Sequence, residues 1–466
     1  MNKIAIAAAA LLVIVLLALP GLVGSITEAN VRDRIAVIDA SAGAKAELTS
    51  YERGWFRSTA RIKVGAENDV SRLPAPGDGL GAFGDLPIVV ELAHGPVAIL
   101  DGVYFGWSKV AARPDADEQN VAELTQTLGV PYIFEFRGRT PYLGGLTFDA
   151  DAPPFTAPLY DGAQLTFSGG TVAGKLAGQR LEADAQIGSF DFAYDGGNVA
   201  MRGLLASADN ELRSDYVMPG EASFSIASIS VAAAQGATPM FETTNLRMKS
   251  DVDIDSAGEL LEMHVTYDID TVRIEESQLT AGSLGVTVSN LDVAAVEAYG
   301  ALVSEAAAAG VDPAALTASL GPHLERALQR GPSMTFAPIR FRYDEEPFEG
   351  RVEITTNPAR LPPAGTLSLD NPLLLLGVVN AKAEMSLSKT LAGQLAALAA
   401  RMQLGNDPTI PPEQLDYMAE AQSGLMLTML VGQGVLIEEG DGYRTSFDYT
   451  DGSMTLNGSP LPFGFQ

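Results

Sequence analysis

Apolar and polar residues alternate one by one over several stretches of this chain. In Leu261, Met263, Val265, Tyr267 and Ile269 every odd position is apolar, while Glu262, His264, Thr266, Asp268 and Asp270 between them are polar. Successive side chains of a strand point to opposite faces, so this period predicts an antiparallel strand with one face covered and the other in water. The same period runs through Phe190, Phe192 and Tyr194, through Ile339, Phe341 and Tyr343 with Arg340 and Arg342 facing out, and through Ala381, Ala383, Met385 and Leu387. Turn pairs stand between such runs, at Asp161-Gly162, Asp195-Gly196, Asp441-Gly442, Asp451-Gly452 and Asn457-Gly458. A two-residue turn at Asp451-Gly452 pairs Tyr449 with Met454 and Phe447 with Leu456, all on one face. The fold class this predicts is α+β, mainly β: a long twisted antiparallel sheet with packed helices.

The helical period interrupts the strands. Val31, Ile35 and Ile38 predict an amphipathic helix from Glu28 to about Ala46. Leu291 to about Arg330 is Ala-rich and helical, broken at Gly310 and restarted by Asp312 as N-cap with Pro313 at the first helical position. A second pair is predicted from Ser388 to about Gln403 and from Pro412 to about Val431. Ala421 to Ile437 is uncharged but short and interrupted by Gly424, Gly432 and Gly434, which predicts a buried helix leading into a strand. Loops rich in Pro and Gly near Leu73 to Asp85, Pro153 to Pro158 and Pro358 to Gly365 are the expected internal boundaries. The organisation read from these signals is 1–27, 28–160, 161–290 and 291–466.

After Lys3 nothing from Ile4 to Thr27 is charged. As a helix this stretch is ~36 Å long, enough for a hydrocarbon core of ~30 Å, so the expectation is an N-terminal transmembrane helix. A cleaved signal peptide is the competing reading. It has a shorter apolar region, and Val23-Gly24-Ser25 is a weak cleavage site. Lys3 before the span and Glu28 after it place the N-terminus in the cytoplasm and the body outside.

Thirty Lys plus Arg against 58 Asp plus Glu give a formal charge of −28. Nucleic-acid binding releases counterions through clustered cations, and the sequence has no basic cluster, so nucleic acid is excluded as an expected partner. The absence of Cys removes disulfides and thiol chemistry. A hydrophobic share of 47% argues for a folded body with a sizeable core.

Formal motif matches fail on context. Gly79-Leu80-Gly81-Ala82-Phe83-Gly84 fits the dinucleotide fingerprint but lacks the strand before it and the helix after it. Asp251, Asp253, Asp255 and Glu262 stand at calcium-loop positions, yet Ser256 replaces the required Gly and the flanks alternate like strands. Ser386 and Lys389 have the spacing of a nucleophile and its lysine on one helical turn, but Ser386 belongs to a strand and Ser388 reads as a helix cap. His94, His264 and His323 are the only imidazoles and form no motif. Accordingly no catalytic residue, metal ligand or cofactor is assigned.

Three segments carry a family resemblance. They are Tyr51, Arg53-Gly54-Trp55-Phe56 and Ser58 behind the apolar start; His94-Gly95-Pro96; and Phe447-Asp448-Tyr449 with Asp451-Gly452 and Thr455-Leu456-Asn457-Gly458. Phe167-Ser168-Gly169-Gly170 and the Ser250-Asp251 strand extend it. Their order resembles the YdgA-like family of bacterial envelope proteins, domain of unknown function 945. Trp55 beside the usual aromatic, a lower Lys content and the Ala-rich helical insert depart from the pattern. The resemblance implies an inner-membrane anchor, a periplasmic body and no established activity.

Physically, Arg53-Gly54 reads as a hairpin corner in which Gly54 supplies an unusual backbone angle and Phe56 begins the returning strand. His94-Gly95-Pro96 reads as a strand ending. Tyr51, Arg53, Gly54, Phe56, His94, Gly95 and Pro96 are therefore expected to be structural. The expectation for the whole is a non-enzymatic, single-pass membrane protein whose body binds a lipid or an envelope protein in envelope assembly or maintenance. The alternatives are an envelope hydrolase using carboxylates such as Asp251 and Glu262, and a homo-oligomeric scaffold joined through strand edges.

Overall fold

The computed structural model describes residues 44–66, 86–95, 97–100, 102–158, 162–214, 216–233, 237–309, 313–363, 376–404 and 411–461. The expected span Ile4–Thr27, the helix after it up to residue 43, the Gly79–Gly84 match, Pro96 and the break at Gly310–Asp312 lie outside these residues. Among the described residues no helix is long and apolar enough to cross a membrane. The chain divides into two compact units, 1–238 with 303–312, and 239–302 with 313–466.

The first unit is an antiparallel meander. Its strands are β1 (Ala44–Arg53), β2 (Arg57–Ala66), β3 (Leu86–His94), β4 (Val97–Ile99), β5 (Val103–Phe105) and β6 (Ser108–Pro114), then helix α1 (Gln119–Leu128), β7 (Glu135–Thr140) and β8 (Leu146–Ala152). There follow β9 (Phe155–Pro158), β10 (Gln164–Phe167), β11 (Gly170–Ala177), β12 (Arg180–Tyr194), β13 (Gly197–Glu211) and β14 (Gly220–Ala232). The strands pair in the order β1-β2-β3-β6-β7-β8-β11-β12-β13-β14. Strands β9 and β10 pair with each other, and β10 with β12. Strands β4 and β5 form a separate hairpin.

Two readings change here. Ala44–Ala46, expected as the end of a helix, is the start of β1 and pairs with residues 64–66. Residues 155–158, expected as loop, form β9, because the prolines stand at the segment's ends and leave Thr156 and Ala157 free to pair with β10.

The second unit has its own antiparallel order. It contains β15 (Pro239–Ile254), β16 (Leu260–Ile274), β17 (Ser277–Asp292), residues 293–302 of helix α2 (Val293–Ala309), helix α3 (Pro313–Gln329), β18 (Ser333–Tyr343), β19 (Glu346–Thr356) and β20 (Val379–Ser388). Helices α4 (Lys389–Leu404) and α5 (Pro412–Gly432) precede β21 (Ile437–Glu439), β22 (Gly442–Thr450), β23 (Ser453–Leu456) and β24 (Ser459–Pro460). Pairing runs β15-β16-β17-β18-β19-β20-β22-β23-β24, with β21 also on β22.

The alternation in β16 places Leu261 and Val265 in the core and Glu262 and His264 in solvent. Tyr449 pairs with Met454 and Phe447 with Leu456, the register expected from Asp451-Gly452. Both turn residues have positive φ, 55° and 81°, as a two-residue hairpin turn of this type requires. Ser388 caps α4, its Oγ accepting from the Leu391 N–H at 3.0 Å. Leu387, Leu391 and Ala392 are buried against Phe341, Phe348 and Tyr443, so α4 lies on the face that the alternation made apolar.

Helix α5 is not buried as expected. Leu425 is 74% exposed and Met429 53%, and on α4 Leu398 and Met402 are also exposed. An uncharged run shows that a helix can be covered, not that the fold covers all of it.

Candidate functional site

The family residues converge at one end of the first sheet. β1 and β2 turn through Gly54, Trp55 and Phe56, and the register Arg53 with Ser58 and Tyr51 with Ala60 fixes their faces. Gly54 is required by space rather than by backbone angle: a Cβ there would stand 2.2 Å from the Arg57 carbonyl oxygen, and its φ is not among the positive ones. This corrects the reading of Gly54 as an unusual-angle residue. Next to this turn β3 ends at His94, whose backbone N–H donates to the Phe56 carbonyl at 2.8 Å. Gly95 leaves the strand at φ 94°, a left-handed value that favours glycine, and donates to the Trp107 carbonyl at 3.1 Å. Trp107 N–H in turn donates to the Thr140 carbonyl at 2.8 Å. Thus the ends of β1, β3 and β7 and the starts of β2 and β6 lie side by side.

Beneath this end the sheet encloses a polar pair. Ser58 and His94 are buried, at 1% and 0% exposure, with Ser58 Oγ 2.7 Å from His94 Nε2. They lie diagonally on one face, because Ser58 pairs with Leu92, two residues before His94. His94 Nδ1 and the Tyr51 hydroxyl are buried without a hydrogen-bond partner. Burial holds the His94 pKa below its ordinary value, so the ring is neutral near pH 7. A nucleophilic Ser–His arrangement needs a group that orients the second ring nitrogen and a path for substrate. Here Nδ1 has no partner and both side chains are sealed from solvent, so the chemistry of the pair is mutual hydrogen bonding inside the sheet.

This pair has a measurable consequence. The unfolded His94 titrates near 6.5 and binds more protons than the folded one below that pH, so acid destabilises the fold. Between pH 7.5 and 5.5 the protection of β2 and β3 amides in hydrogen exchange is expected to fall, by at most ~1.4 kcal/mol per pH unit. His94→Gln, which keeps a hydrogen bond to Ser58 and does not titrate, flattens that dependence. An equally steep dependence in the variant would contradict a buried neutral His94.

Over the other face of the same strands lies the β4–β5 hairpin. Ala98 and Leu100, with Tyr104, pack on Ala93 of β3 and Ala111 of β6. Ala98 pairs with Tyr104, Val97 with Phe105 and Ile99 with Val103, so the last four share the hairpin's outer face. They are exposed by 40, 67, 68 and 63%, in the order Val97, Phe105, Ile99, Val103. Trp55, Phe56 and Leu143 stand exposed at the same end. So does Trp107, whose ring meets Tyr142 edge-on with centroids 5.7 Å apart and whose Nε1 donates to the Tyr142 carbonyl at 3.3 Å. Exposed large apolar side chains are thus gathered at this end, which makes it a candidate interaction surface.

Of the expected residues, Tyr51, Arg53, Gly54, Phe56, His94 and Gly95 are brought together here, and Pro96 lies outside the described residues. The hairpin was missed. Its signal was available: two apolar runs, Val97 to Leu100 and Val103 to Phe105, flank Asp101-Gly102, and an apolar run without alternation gives a hairpin no polar face.

The other motifs do not assemble. Among the described residues no group of His, Asp and Glu could hold a metal ion. Asp255 accepts from the backbone N–H groups of Leu260 and Glu259, which hold its pKa below the usual carboxylate value, so it closes a turn. Ser386 lines an open groove of ≈ 1200 Å³ in the second unit, whose charges pair with one another as Arg340–Glu349 at 3.3 Å and Arg444–Glu384 at 4.0 Å. Lys389 pairs with Glu438 at 3.6 Å.

The fold and this end define a mainly β protein built on antiparallel sheets, with a conjunction of small motifs at the end of the first. The family model described as "Bacterial protein of unknown function (DUF945)" matches residues 1–463, and the chain belongs to that family. No curated protein and no solved structure matches the chain.

Proposed function

We propose that this is a non-enzymatic protein of the bacterial inner membrane, tethered by Ile4–Thr27, with its β-rich body in the periplasm. The body acts by binding an apolar partner, a lipid or an apolar segment of an envelope protein, at the aromatic end of the first unit, in the assembly or maintenance of the envelope. The observation that carries this is the β4–β5 hairpin: one apolar face packs on the sheet, and the other, Val97, Ile99, Val103 and Phe105, is exposed. Leaving such side chains in water forgoes ~25 cal/mol for each Å² that a partner would cover. The tether is supported by the length of the uncharged N-terminal stretch and by the YdgA-like resemblance.

A photo-reactive phenylalanine analogue placed at Phe105 of the full chain tests this in living bacteria. Irradiation is expected to yield one dominant adduct, a lipid or a single envelope protein identified by mass, and far less at Tyr194, an exposed ring on β12. Equal yields at the two positions, or none at Phe105, would remove the aromatic end as the binding site.

A further inference from the structure

Resting on that reading, we propose that the occupant of the aromatic end is the lipid bilayer itself: the β1–β2 turn and the β4–β5 hairpin enter the headgroup region of the membrane that holds the N-terminal segment. The composition of this end is that of an interface anchor. Both tryptophans of the chain, Trp55 and Trp107, are here and exposed, beside the exposed aliphatic face of the hairpin. Trp and Tyr favour the boundary between water and hydrocarbon because each joins a large apolar body to a polar N–H or O–H.

Charge at this end is compatible with an anionic bilayer surface. The chain carries −28, yet across positions 53–58, 92–109 and 138–147 Asp101 in the hairpin turn is the one acidic residue, against Arg53, Arg57, Lys109 and Arg139. The side chains of Arg57 and Arg139 are 51 and 52% exposed and pair with Glu91 and Asp149 respectively, so each stands at this end as a water-facing ion pair whose guanidinium is open to a headgroup phosphate. Anionic headgroups attract such cations, and the rest of the acidic surface would be repelled, which orients this end toward the membrane.

The length of chain before β1 is compatible with this. β1 runs from Ala44 toward the turn at Gly54, so its start lies ~30 Å from the aromatic end at ~3.3 Å per residue. The 16 residues 28–43 have a contour of at most ~50 Å and would cover ~24 Å as the helix expected there, so this end reaches the same bilayer only if that stretch is more extended than a helix. A tethered site then meets the membrane at a high effective concentration, and a weak interfacial contact suffices.

The two tryptophans make the test direct, since emission excited selectively at tryptophan, apart from the 13 tyrosines, reports this end. The full chain is reconstituted into vesicles of about three parts phosphatidylethanolamine to one of phosphatidylglycerol, with acyl chains brominated near the headgroup or left unmodified. Brominated lipid is expected to quench tryptophan emission by about twofold or more, and Ile99→Asp with Phe105→Asp to restore most of it. Both side chains are over 60% exposed, so the double variant is expected to keep the unit folded, which hydrogen exchange of β3 and β6 verifies. Emission that bromination leaves unchanged while aqueous acrylamide quenches it fully would overturn the proposal. If the Phe105 cross-link then carries an envelope protein, binding at this end stands and the bilayer as its occupant falls; if it carries nothing, both fall.

Discussion

Replacing Asp292 by Ala is expected to destabilise the second unit by about 2–4 kcal/mol, the largest effect of any single polar substitution proposed for this protein. Asp292 ends β17 and is 1% exposed. One oxygen accepts the Ala295 N–H at 2.9 Å, capping α2, and also meets Arg326 at 3.0 Å, while the other meets Arg330 at 3.2 Å. Burial pushes its pKa up, but the Ala295 N–H and the two guanidinium groups pull it down further, so the net shift is downward. Removing a buried partner leaves its counter-charges uncompensated, a cost of ~3–5 kcal/mol when those charges are themselves sealed. Here the arginines are 55 and 39% exposed and water takes over part of the role, which lowers the estimate.

The pH dependence follows from the same contacts. The folded pKa lies below the unfolded value of ~3.9, so the stabilisation is complete above that pH and disappears as pH falls through the folded value. Asp292→Asn retains the cap acceptor and loses the charge, and is expected to cost less than Ala. Denaturant unfolding followed by hydrogen exchange of β17 and α2 reads both. A loss under ~1 kcal/mol for Ala would show that the cap and the ion pairs contribute little.

Gly54→Ala is expected to cost about 3 kcal/mol in the first unit and to displace Trp55 and Phe56. The first side-chain carbon alone meets the Arg57 carbonyl oxygen at 2.2 Å, so a larger residue adds little to what Ala already does. Backbone, unlike the end of a flexible side chain, cannot step aside without opening the turn. Opening it strains the bond from His94 N–H to the Phe56 carbonyl and so reaches β3. Gly102→Ala is the comparison: φ there is +108° with nothing within 4 Å of the added carbon, so the cost is conformational alone, ~1–2 kcal/mol. Thermal unfolding of both, with exchange of the β1 and β2 amides, separates the effects. Equal losses would mean that contact at Gly54 is not the cause.

These two cases show how far local pattern reaches. Turn chemistry and alternation made the β22–β23 register legible, because φ at Asp451 and Gly452 and the shared face of Tyr449, Met454, Phe447 and Leu456 are properties of neighbouring residues. Ser388 was legible as a cap for the same reason. Gly54 was recognised as a corner, but its cause was not, since the clash is with an atom of the returning strand. His94 was read as a strand ending and is one; its hydrogen bond to Ser58 joins residues that β2 and β3 bring together across a long separation in sequence. The site itself was half visible, its motif residues named and its exposed hairpin missed.

By itself the sequence determined the long alternating strands, their apolar faces and the turns between them, because each rests on period and on φ preferences of a few adjacent residues, while the order of its short motifs carried the family. Tertiary structure alone decided which apolar faces are covered. The uncharged second half of α5, residues 421–432, and the outer face of β4–β5 are apolar enough for a core, and nothing local distinguishes them from one. Burial depends on whether another part of the fold arrives on top, and at the aromatic end of the first unit the described residues leave that face open.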